Sequence, residues 1–94
     1  MTILRVSSNS EAGSIAGAVA GAINKEHKCL LVGIGAAAVN QAVKAIVLAG
    51  NFYDDTFGRL AVEPFFETVE IDGREKTSVN FYVYDKTYYY KKVA

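Results

Sequence analysis

The chain has 94 residues, 51% of them apolar, and its ten basic side chains balance ten acidic ones. That length supports one hydrophobic core and excludes a second, and the apolar share excludes an intrinsically disordered chain. A formal charge of zero excludes a global field drawing the protein onto polyanions or membranes, so any polyanion site must be local. The single cysteine, Cys29, permits no internal disulfide and fits a reducing compartment. The start, MTILRVSSNSEAG, turns polar too soon for a signal peptide. The longest uncharged apolar stretch, Cys29 to Val43, is broken by Asn40 and Gln41 and is too short to span a bilayer. These features predict one soluble, cytoplasmic domain over residues 1–94 with no membrane partner.

Thr2 to Ser7 alternates as a short strand, with Ile3 and Arg5 on one side and Leu4 and Val6 on the other. Ser8 followed by Glu11 fits a capping box, which predicts a helix from there to about Glu26. Ile15, Val19 and Ile23 recur every four residues as its core stripe. Gly13, Gly17 and Gly21 form a second ridge at the same spacing. Each costs up to ~1 kcal/mol relative to alanine in a helix, so the ridge predicts close backbone approach to a sheet or a second helix. Lys28 to Ile34 reads as the second strand. The strand–helix–strand order predicts a parallel central pair. A glycine turn then opens a second helix, about Ala36 to Ala49, with Gly50-Asn51 as its C-cap. Asn51 to Gly58 reads as a polar-aromatic loop.

Arg59 to Asp85 is a long hairpin turning at Asp72-Gly73. Its register pairs Val62 with Val83, Pro64 with Phe81, and Phe66 with Val79, all on one face. Farther out, Thr68 pairs with Thr77 and Glu70 with Glu75, where opposed carboxylates predict a bulge or departure at the tip. Pro64 predicts an edge strand or a bulge there. The outer hairpin has little to bury and should project as an arm. The tail, Lys86 to Ala94, is predicted to continue strand-like, with Tyr88 and Tyr90 alternating against Tyr89.

ILRVS, SIAGAVAGAI, IGAAAVNQAVKAI and VEIDGREKTSV resemble the stage V sporulation protein S family, part of the Alba-like group of small nucleic-acid-binding domains. The resemblance runs over about Thr2 to Tyr84 and is most specific at NQAVKAI and the IDG turn. It implies an Alba-like two-layer α/β sandwich of order β-α-β-α-β-β, a four-stranded mixed sheet with two helices on one face. It also implies a homodimer that binds DNA or RNA, with a regulatory role in spore development in some bacteria. Alba proteins carry paired lysines just after the first strand, where this chain has Ser7-Ser8-Asn9-Ser10.

Gly33-x-Gly35-x-x-Ala38 between a strand and a helix resembles the start of a dinucleotide fingerprint, with Asp54 and Asp55 about twenty residues on. No strand precedes those acids, so the stretch reads instead as a tight turn of small residues, or as an anion contact at a helix N-terminus. The second helix carries only three polar side chains, Asn40, Gln41 and Lys44, clustered in one narrow sector. Val39, Ala42, Val43, Ile46 and Ala49 fill the opposite side, and Val47 and Leu48 flank the polar sector. A helix apolar around most of its circumference needs cover on two sides, its own sheet and a partner subunit. Lys44 can contact phosphate, and Asn40 and Gln41 can orient the backbone or read a base edge. Arg74 and Lys76 extend that footprint if the arm's acids, Glu67, Glu70, Asp72 and Glu75, face away. Tyr82, Tyr84, Tyr88, Tyr89 and Tyr90 could stack on unpaired bases or serve as strand formers.

His27 and Cys29 do not make a nucleophile–base pair or a zinc site, so neither an enzyme nor a cofactor is expected. The leading expectation is a nucleic-acid-binding regulatory or architectural protein. Roughly three to five phosphate contacts give a log–log salt slope of about −3 to −4 on duplex DNA. The alternatives are a protein-interaction module on the same fold and a small anionic-ligand binder at the Gly33–Gly35 turn.

Overall fold

A computed structural model describes residues 1–52 and 59–93. The elements are β1 (Ile3–Val6), α1 (Ala12–Glu26), β2 (Lys28–Gly33), α2 (Ala36–Gly50), β3 (Leu60–Ile71), β4 (Arg74–Asp85) and α3 (Lys86–Val93). The strands form one mixed sheet in the order β1-β2-β4-β3. β1 runs parallel to β2, while β4 is antiparallel to both of its neighbours. The α/β order expected from the sequence is present. The parallel pair is not central, however. β4 takes the other side of β2, which leaves β1 at one edge and β3, with Pro64, at the other.

Alternation along the strands sorts the sheet into two faces. Val6, Cys29, Leu31, Phe81 and Val83 are buried against Ala16, Val19 and Ile23 of α1 and Ala42, Ala45 and Ala49 of α2. The buried positions of α2 are all alanine. Small side chains therefore make its contact with the layer beneath, and its larger residues point elsewhere. The glycine ridge of α1 does not serve the close approach expected of it. A β-carbon added at Gly17 or Gly21 would meet nothing within 4 Å. Close approach occurs instead at Gly33, where an added β-carbon would lie 3.4 Å from the carbonyl carbon of Ala38 and 3.5 Å from its Cβ.

Two helix ends differ from expectation. Glu11, not Ser8, is the N-cap of α1, and its side chain makes no capping bond. Ser8 sits in a turn closed by Ser10 N–H to Ser7 O at 3.1 Å and Ser7 N–H to Ser10 Oγ at 2.9 Å. Gly50 is the last residue of α2, and Asn51 caps it in right-handed geometry, so no left-handed glycine cap forms. α1 ends on His27 in the left-handed region, φ 68°.

The hairpin follows the expected register from Leu60↔Asp85 to Ile71↔Arg74, with Glu70 opposite Glu75 and no bulge. Asp72 and Gly73 both have positive φ, 52° and 75°, as a two-residue turn matching the strand twist requires. Asp tolerates that region and Gly enters it without penalty.

The tail is a helix rather than a strand. Asp85 stands at its start and accepts the N–H groups of Thr87 at 3.0 Å and Tyr88 at 3.2 Å. That is side-chain capping of otherwise orphaned donors. Arg59, the residue just before β3, holds the same carboxylate, with Nε at 3.2 Å and Nη2 at 3.1 Å. The tyrosines' strand propensity loses to this cap and to ring contacts with the sheet.

Candidate functional site

The sheet face away from α1 and α2 carries the side chains that alternation sends there. They include Arg5 of β1, Lys28 and Val32 of β2, and Arg74, Lys76, Tyr82 and Tyr84 of β4. The hairpin register separates the arm's charges. Ile71 and Arg74 face each other on this side, as do Val69 and Lys76, while Glu70 and Glu75 pair on the opposite side. Arg5 and Ile71 line a common groove of about 550 Å³ together with Ser7, Ser8, Ile34 and the first turn of α2. Ile71 reaches this groove from the arm, so the tip of the hairpin bends toward the ends of β1 and β2 and the start of α2.

That first turn has no side-chain cap, because Gly35 is its N-cap, at φ 89° and ψ 157°. The N–H groups of Ala36, Ala37 and Ala38 are the positive end of α2, and all three residues line the groove. The turn that resembles a dinucleotide fingerprint is thus a steric solution at Gly33 and an uncapped helix start at Gly35. Asp54 and Asp55, its supposed acidic partners, lie outside the described residues.

Two acids share this face, Glu63 and Glu67. Glu67 Oε1 accepts Asn80 Nδ2 at 2.9 Å, and Asn80 Oδ1 accepts Ser78 Oγ at 2.8 Å. Ser78 and Asn80 are buried at 0% and 1% exposure. Their bonds join β4 to β3 at the root of the arm and engage Glu67 Oε1, on an exposed side chain that, contrary to expectation, does not face away from the cations.

The polar trio of α2 lies on the other layer. Asn40 and Lys44 are exposed. Gln41 is half-buried, and its Nε2 donates to Ser10 O at 2.6 Å. It ties the Ser7–Ser10 turn to α2, a use that only a contact across thirty-one positions reveals. Beside the trio, Val43, Val47 and Leu48 are exposed at 44%, 62% and 40%. The sequence places Val43 on the covered side, whereas the structure leaves it in the open. The trio and the arm cations therefore do not form one surface within a single chain.

At the far end of the helix-free face, rings run from the sheet into the tail. Tyr82 stacks on Tyr84 at 5.3 Å, Tyr84 meets Tyr89 edge-on at 5.9 Å, and Tyr89 meets Tyr88 at 5.2 Å. Tyr88 lies flat on His27, with centroids 3.5 Å apart and planes 3° from parallel. Burial, then the charge and hydroxyl of Tyr89, raise the Tyr82 phenol above its ordinary pKa. The side chain of Tyr90 lies outside the described residues. Cys29 is buried, and desolvation pushes its thiol up to about 11; it is a core side chain, not a nucleophile. At the same end, Glu26 accepts Thr2 Oγ1 at 2.6 Å and Thr2 N–H at 3.1 Å. The Thr2 hydroxyl bond is the main cause holding that carboxyl below its usual value.

A family model described as stage V sporulation protein S (SpoVS) matches residues 2–86. The chain belongs to that family. The match spans β1 to the end of the hairpin and stops at the first residue of α3. This SpoVS-family protein is accordingly a small sporulation-related protein on a four-stranded α/β framework. No helix among its described residues is long and apolar enough to cross a membrane.

Sequence reasoning placed Arg74 and Lys76 in the site and treated Arg5 only as a cation whose convergence with them and with Lys44 would support it. The signal was present in the alternation that puts Ile3 and Arg5 on one side of β1. What it lacked was the bend of the arm, which brings Ile71 to the same groove.

Proposed function

We propose that this SpoVS-family protein binds nucleic acid, laying the helix-free sheet face and the bent hairpin arm along a sugar–phosphate backbone. The observation that carries the reading is the sorting of the arm's charges. Arg74 and Lys76 face the groove side, where Arg5 also stands, and Glu70 and Glu75 face away, while Glu67 shares the cations' face at the root of the arm. A chain of zero net charge can hold a polyanion only through such local sorting. Arg5, Arg74 and Lys76 neutralise phosphates, and the uncapped N–H groups of α2 offer a further anion contact. The binding is backbone-directed, so it is salt-sensitive and modest in sequence preference.

Asn40, Gln41 and Lys44 take a lesser part than their clustering suggests. Gln41 is a structural tie. Asn40 and Lys44 border Val43, Val47 and Leu48, an apolar surface that a second copy of the chain would cover. In such a homodimer Lys44 stays at the rim, where it can add a phosphate contact. A second reading, a protein-interaction module, draws on Phe65 and Phe66, exposed at 45% and 77% on the edge strand.

Charge reversal separates these readings. Fluorescence anisotropy with labelled duplex and single-stranded oligonucleotides at low salt compares Arg74→Glu/Lys76→Glu with Glu70→Lys/Glu75→Lys. The first pair should weaken binding at least tenfold, by roughly two lost phosphate contacts, and the second should leave it unchanged or tighten it. Equal affinity in parent and first variant would remove the arm from the site. No binding by the parent leaves the interaction module.

A further inference from the structure

We propose that the ring cluster at the end of the helix-free face is a stacking site for unpaired nucleobases, and that α3 fills it with its own tyrosines in the free protein. The inference rests on the nucleic-acid reading above and adds a ligand class, single strands, together with a gate.

The site is seen with planar rings already in it. Tyr88 lies on His27 at 3.5 Å and 3°, the spacing and tilt of a stacked base. Tyr89 packs edge-on against Tyr84, which in turn stacks on Tyr82. Tyr82 and Tyr84 belong to the sheet, on the same face as Arg5, Arg74 and Lys76. Lys28 is the register partner of Tyr84 on β2, so a cation stands beside the rings where a backbone phosphate would run. Glu63 is the partner of Tyr82 on β3, which steers that backbone to the β1–β2 side. Aromatic platforms beside a cationic track are the common solution for holding single strands without sequence preference.

The cover is separable from the fold. α3 spans Lys86–Val93, eight residues, too short to hold helical form unaided. It is kept by the Lys86 N–H to Arg59 O bond at 3.0 Å, by the Asp85 cap and by the ring contacts. The family match ends at its first residue, so the framework beneath does not include it. A base entering the site replaces a tyrosine ring with another ring, an exchange of like for like. The cover therefore lowers apparent affinity for single strands by the fraction of time it is seated. It leaves the arm's phosphate contacts untouched.

Two measurements on the full chain test this. Hydrogen exchange of the Thr87 and Tyr88 amides, which donate to Asp85, is followed while oligo(dT), oligo(rU) or a blunt duplex is added. Protection should fall with the single strands and persist with the duplex. Separately, Tyr88→Ala/Tyr89→Ala should bind single strands about tenfold tighter with duplex affinity unchanged. Adding Tyr82→Leu and Tyr84→Leu should cancel the gain. Single-strand binding with α3 amides still protected, or unchanged affinity in the double variant, overturns the stacking site and leaves the arm in place. Absence of binding to any nucleic acid by parent and variant alike overturns both readings. If the variant does not fold, the exchange experiment on the parent decides.

Discussion

Replacing Asp85 tests the lock that turns the tail into a helix. Asp85 is 3% exposed and accepts four bonds, two from Arg59 and two from the first turn of α3. In Asp85→Ala the cap is lost, worth about 1 kcal/mol. The ion pair is lost too, but the Arg59 side chain is 35% exposed and rehydrates, so its share is about 1 kcal/mol after screening. The sum is about 2 kcal/mol. Asp85→Asn keeps an oxygen for the Thr87 and Tyr88 amides and loses the charge, so it should cost about 1 kcal/mol. Urea denaturation followed by circular dichroism reads both. With slopes usual for small proteins, the alanine midpoint should fall by roughly 1–2 M and the asparagine midpoint by about half as much. An alanine variant within about 0.5 kcal/mol of the parent would refute the lock, since that is the usual scatter of surface substitutions. Alanine and asparagine behaving alike would refute the capping half alone.

Gln41→Met should lower stability by about 1 kcal/mol through the lost bond to Ser10 and leave nucleic-acid affinity unchanged; a large affinity loss at constant stability would return Gln41 to the binding surface. Glu26 is held below its ordinary pKa by Thr2, so its contribution is full above the unfolded carboxyl range and is lost as pH falls through the folded value. The stability gap between parent and Glu26→Gln should therefore be open at neutral pH and close in acid, and a gap that widened in acid would contradict the assignment. Val47→Glu places a charge on the exposed patch of α2. Sedimentation should show the parent as a dimer and the variant shifted to monomer, and a parent that is monomeric at high concentration would leave that patch without its partner.

The parts of the fold legible in the sequence are those set by local period. The hairpin register could be read because three apolar pairs fall on one face and Asp72-Gly73 permits only a short turn of one hand. That register also settled which way Arg74 and Lys76 point. The parts not legible depend on distant partners. TYYYKK reads as strand by propensity, and only the hold of Arg59 on Asp85 and the seats at His27 and Tyr84 make it a helix. Ser8 has the spacing of a capping box, but the Ser7–Ser10 turn claims the segment first. Gln41 looks like a ligand group until Ser10 is found 2.6 Å away. The glycine ridge of α1 remains without a contact at Gly17 and Gly21 among the described residues.

The central claim, that a neutral chain binds nucleic acid through locally sorted cations, is tested most directly by the salt dependence of binding. Arg5, Arg74 and Lys76 as three phosphate contacts predict a slope of log affinity against log salt of about −2.7 on duplex DNA for each protomer engaged, and about −2 on single strands. Arg74→Glu/Lys76→Glu should flatten the slope by close to two contacts. No binding at low salt, or a slope that the arm substitutions leave unchanged, would contradict the account.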